Sequence, residues 1–148
     1  MTGFGDEAAF IDALPAGFAP RTAGAREFAP PRRTLPLVSP GGIPIDVSLA
    51  ALPFEDTMMN RSVEIEFLPG ERLRVCSLED LAIMKLFAGR DIDLRDARTV
   101  VIRRRTRDWD YIESNLATLD ELRGASGLIE AAGRLRSTAP PSNPRPGG

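Results

Sequence analysis

The chain has 148 residues, 43% of them hydrophobic and 27% charged, with a net charge of −2 at neutral pH, the length and balance of one globular domain. It contains no histidine and a single cysteine, Cys76. Histidine acid–base catalysis, a Ser–His triad, an internal disulfide and a cysteine-rich metal site are therefore excluded. The pI near 5.3 argues against a general binder of nucleic acid or of anionic membranes. No apolar run has the length of a transmembrane helix, and no basic-then-apolar leader opens the chain, so a cytoplasmic protein is expected.

In chain order, Asp6 to Leu14 is predicted as a short helix, capped by Asp6 and stopped by Pro15 and Gly17. Ala19 to Pro36 is rich in proline and arginine and is predicted mostly as loop. Leu35 to Val38 is a short strand that Pro36 should confine to an edge. After the turn Ser39-Pro40-Gly41-Gly42, Ile43, Ile45, Val47 and Leu49 alternate with Pro44, Asp46 and Ser48, a half-buried strand. VEIEF repeats the pattern, with Val63, Ile65 and Phe67 expected inward. Pro69-Gly70 then turns the chain into a hairpin with Arg72 to Val75.

Ser77-Leu-Glu-Asp80 has capping-box spacing and opens a helix that Gly89 ends. A second helix is expected from about Asp93 through Val101, a third after Asp108 and a fourth over Leu128 to Leu135. The sequence implies a single α+β domain over residues 1–136, followed by a disordered tail over 137–148.

Lys85 stands out because it is the only lysine and interrupts an otherwise uncharged run from Leu81 to Ala88. Its stem can pack while its head reaches water, or its compact ammonium can serve as a point charge for phosphate. Asp46 is either a solvated strand carboxylate or a rigid ligand for Mg²⁺. Arg90, Asp93 and Asp96 follow at spacings of three, where Asp93 can cap the second helix or face a cleft. Arg103, Arg104, Arg105 and Arg107 form a basic cluster that suits either a helix C-terminus or a phosphate backbone. Trp109 and Tyr111 are expected in the core.

Taken together, IDVSLAALPFE, the hairpin and RVCSLEDLAIMKLFAGRDIDLRDAR resemble the nucleotidyltransferase-like proteins of the AbiEii abortive-infection toxin family. The resemblance runs from about Asp6 to Leu119 and includes AGFAPR near the start. It implies a nucleotidyltransferase-like mixed sheet with flanking helices and a C-terminal helical part. It also implies Mg²⁺ held by three carboxylates around a nucleoside triphosphate. By that resemblance Asp46 is the third carboxylate and metal ligand, Lys85 contacts the triphosphate or the transferred group, and Arg90 and Asp93 line the cleft. The implied catalytic residues are Asp46, Lys85 and Asp93, and the implied nucleotide-binding residues are Lys85 and Arg90. The implied chemistry is Mg²⁺-dependent transfer of a nucleotide from a nucleoside triphosphate to an RNA or protein acceptor, and the implied partners besides the triphosphate are tRNA or an antitoxin protein. The family's Gly-Ser and Asp-x-Asp unit, which supplies the first two metal ligands, does not occur here. Two expectations follow: a truncated or degenerate transferase, or a catalytically silent module that dimerises or pairs with a partner protein.

Overall fold

The computed structural model describes residues 7–14, 16–103 and 107–140, with the side chains of all of these except Arg26 and Phe28. The chain forms two compact units, residues 1–60 and 61–148. Its class is α+β: small antiparallel sheets come first, and a C-terminal region of four helices follows.

The first unit contains α1 (Glu7–Asp12), β1 (Ala19–Pro20), α2 (Ala25–Arg32), β2 (Thr34–Val38), β3 (Pro44–Ser48) and α3 (Pro53–Arg61), whose last residue belongs to the second unit. The strands form one antiparallel sheet in the order β1-β2-β3. Leu35 and Leu37 of β2 are fully buried with Leu49, Ile11, Ala25 and Ala29, and Ile45 and Val47 pack against them. The alternation of β3 therefore has the expected inward face from Ile45 onward. Ile43 departs from it: β3 begins at Pro44, so Ile43 stays in the turn and is 64% exposed.

Pro36 also departs from expectation, because β2 is the central strand and not an edge. The carbonyl of Pro36 accepts from Arg21 N on the β1 side, so its missing N–H faces that side too. There β1 pairs only through Ala19 and Pro20, and the absent donor removes no bond from the β2–β3 ladder.

Two helices had no sequence signal. α2 carries Pro30 and Pro31 inside its last turn, where proline normally argues against a helix. Its end is fixed instead by Arg33, which adopts the left-handed φ of 54°. That guanidinium donates to the carbonyls of Leu49 and Ala50 and to Glu7. α3 opens with Pro53 at its first position, where the missing N–H costs nothing. Glu55 turns back to accept from Ala51 N at 2.6 Å and Leu52 N at 2.9 Å, a capping arrangement with no serine or threonine to advertise it.

The second unit contains β4 (Val63–Leu68), β5 (Glu71–Val75), α4 (Leu78–Ala88), α5 (Asp91–Arg103), α6 (Trp109–Arg123) and α7 (Leu128–Thr138). β4 and β5 form the expected hairpin, closed at Pro69-Gly70 with Gly70 at φ 82° and a bulge near Glu66 to Leu68. Where a single mixed sheet was expected, the described strands make two separate antiparallel sheets. The inward placement of Val63, Ile65 and Phe67 is also overturned: both faces of this two-stranded sheet are exposed.

The four helices bury Ala82, Ile83, Leu86, Ala97, Val101, Ile112, Leu116, Leu119 and Leu135, among others. Trp109 is buried with them, as expected. Ser77 caps α4 by accepting from Asp80 N at 3.1 Å, and Asp108 caps α6 by accepting from Tyr111 N at 3.0 Å. α7 continues to Thr138, past the expected end at Leu135, so the first residues assigned to the tail are helical. Residues 141–148, Asp6, Pro15, Arg104 and Arg105 lie outside the described residues.

Candidate functional site

The residues singled out in the second unit come together. Lys85 lies near the end of α4, and Gly89 takes a left-handed φ of 68° that closes the helix. The chain passes Arg90 and enters α5 at Asp91. Asp93 is thus the third residue of α5 and not its N-cap. It is buried, its side chain only 2% exposed.

The Lys85 ammonium donates to Asp93 Oδ1 at 3.0 Å and to Asp96 Oδ2 at 2.7 Å. Arg90 closes on the same carboxylate, with Nε 2.5 Å from Asp93 Oδ2 and Nη2 3.2 Å from Oδ1. Two cations and two anions therefore share one cluster whose formal charges cancel. The lysine is 28% exposed along its side chain, so it does not simply reach out to solvent. A compact ammonium with three rotatable donors bridges two separate carboxylates on one helix face, whereas a guanidinium fork suits a single carboxylate.

The titration behaviour follows from these contacts. The Arg90 and Lys85 hydrogen bonds hold the Asp93 carboxyl at about 2, below its ordinary 3.8. Asp96 and Asp93 push the Lys85 ammonium above its ordinary 10.5. Every charge in the cluster is stabilised by a neighbour in the same cluster.

Asp46 belongs to the first unit. It lies on β3 opposite Pro36, and its Oδ1 accepts from Arg21 Nη2 at 2.5 Å. Both side chains are substantially exposed, so the pair contributes about 1 kcal/mol at most. Arg32 and Thr34 complete an open hollow around them. The resemblance implies Mg²⁺ at Asp46. That carboxylate is already held by a guanidinium, and among the described residues no group of three or more His, Cys, Asp or Glu side chains could hold a metal ion.

A second buried network escaped sequence reasoning. Asp80, fully buried, accepts from Tyr111 Oη at 2.7 Å and from Ser77 Oγ at 2.6 Å. Arg61 Nε lies 3.6 Å from the same carboxylate, and its guanidinium stacks 3.9 Å above the Tyr111 ring. Burial and the Asp80 carboxylate raise the Tyr111 phenol above its ordinary 10.0. Asp80 resembled an ordinary capping residue, and no local pattern links it to Tyr111, thirty-one positions away. Of the arginine cluster, Arg103 is exposed and Arg107 donates through Nη1 to the Pro140 carbonyl at 3.2 Å.

No protein-family model matches the chain, and no curated protein matches it. No helix among the described residues is long and apolar enough to cross a membrane.

Proposed function

We propose that this chain is a nucleotidyltransferase-like module of the AbiEii type that works by binding a protein partner and not by transferring a nucleotide. The observation that carries the reading is the closed charge cluster: Lys85 is held by Asp93 and Asp96, and Arg90 by Asp93. The family part of the reading is supported by Lys85, Arg90, Asp93 and Asp96, four of the residues that carry the resemblance, meeting at one place. The binding part is supported by their mutual neutralisation. A triphosphate brought to Lys85 meets two carboxylates already on the ammonium, and repulsion offsets the attraction. In this reading Lys85 and Arg90 tie α4 to α5, and tRNA, a nucleoside triphosphate and Mg²⁺ are not ligands of these residues. A protein is the partner class that remains, whether a second copy or an antitoxin-like protein.

The test is calorimetric titration of Mg-ATP, Mg-CTP and Mg-GTP into the folded chain, with Lys85→Met as control. The reading predicts no saturable heat with any of the three. Saturable binding that Lys85→Met removes contradicts it and restores the transferase.

A further inference from the structure

The β4–β5 hairpin has two unlike faces. Val63 is paired with Val75 and Ile65 with Leu73, so these four share a face; Phe67 follows them at the bulge, and on β5 strand alternation puts Glu71 at the edge of the same face. On the opposite face Glu64 is paired with Arg74 and Glu66 with Arg72. The apolar face is open: Val63, Ile65, Phe67 and Leu73 are 41–64% exposed. A lone two-stranded hairpin is only marginally stable in water unless something covers its apolar side. Large side chains this exposed form a patch on the order of 400 Å², a size that marks interaction surfaces.

We propose that this face is a homodimer interface, in which the hairpins of two copies pack face to face about a twofold axis with Ile65 and Leu73 near its centre. The proposal rests on the binding reading above and names its partner. Charge decides the geometry. Setting β4 beside the β4 of a second copy brings Glu64 and Glu66 against glutamates, and setting β5 beside β5 brings Arg72 and Arg74 against arginines. Like charges opposite one another oppose both edge pairings. Face-to-face packing points Glu64, Glu66, Arg72 and Arg74 of the two copies away from each other and leaves only Glu71 at the rim of the contact.

The charged face also favours a second copy over a charged partner, since its glutamates and arginines cancel across the strands and leave no net sign to select one. Area allows only a weak contact: burying this patch on both copies removes on the order of 800–1,000 Å², below the standard size of specific interfaces. A twofold contact needs only the same patch on each subunit. The dimer is therefore weak.

The test is sedimentation velocity on the full chain from about 1 to 500 μM, a range suited to weak self-association, for the wild type, Ile65→Glu, Phe67→Glu and Ile43→Glu. Ile43 is an equally exposed apolar residue of the first unit. The expected result is a concentration-dependent dimer that falls to the 16.1 kDa monomer in both hairpin variants and persists in Ile43→Glu. Circular dichroism establishes that the variants are folded, and Phe67→Ser replaces any glutamate variant that is not. A folded wild type that stays monomeric at the highest concentration overturns the proposal, and so does a dimer that survives the hairpin variants. A monomer that also takes up no Mg-nucleotide overturns the dimer alone and leaves the binding reading intact. Uptake of Mg-nucleotide that depends on Lys85 overturns the reading beneath it.

Discussion

Lys85 shows how a residue can be conspicuous in sequence while its role is set by neighbours that sequence only hints at. Its singularity among nineteen basic residues, and its place in an uncharged helix, were visible at once. The spacing of Arg90, Asp93 and Asp96 was visible too. The left-handed turn at Gly89, which folds α5 back so that both aspartates reach the ammonium, could not be read from spacing alone. Asp93 carries a pH signature. Its folded value lies at about 2, below its ordinary 3.8, so between those values the unfolded chain binds more protons and stability rises with pH. Its contribution is complete above 3.8 and is lost as pH falls through about 2. Thermal melts of wild type and Asp93→Asn should therefore differ by a constant amount above about pH 5 and converge as pH approaches 2. A gap that stays constant down to pH 2 counts against the assigned partners. Lys85 has the opposite sign: its folded value lies above its ordinary 10.5, so its contribution is full below that value and fades only at higher pH.

At the scale of elements, legibility followed the strength of local signals. α4 and α6 were readable from Ser77 and Asp108, whose side chains cap them as the pattern implies. The hairpin was readable from its alternation and Pro69-Gly70, but alternation states only that the two faces differ and not which is covered. α2 was hidden by Pro30 and Pro31, and α3 by a cap that uses Glu55 alone. α7 begins on a different device. Asp120, near the end of α6, accepts from the backbone N–H groups of Gly127, Leu128 and Ile129. It supplies the cap that Gly127 cannot. Replacing Asp120 with Ala should cost about 1–2 kcal/mol in denaturant unfolding and raise amide exchange in the first turn of α7. Unchanged stability and exchange would show that the cap is replaced by water.

At the scale of the whole molecule, the class was legible and the sheet arrangement was not. Helix and strand periodicities give α+β directly, whereas the partition of the five described strands between two antiparallel sheets depends on pairing partners that no single strand declares. The two units also assign the candidate residues to separate bodies, Asp46 to one and Lys85, Arg90 and Asp93 to the other. That Lys85 serves to hold α4 against α5 is the claim from which the binding reading follows. The most direct measurement is the melting of Lys85→Met in two backgrounds: the native chain, and a chain carrying Asp93→Asn with Asp96→Asn. The account predicts that Lys85→Met lowers the melting temperature in the native background and has little effect once its two carboxylates are gone. An equal effect in both backgrounds, or none in the native one, would contradict it.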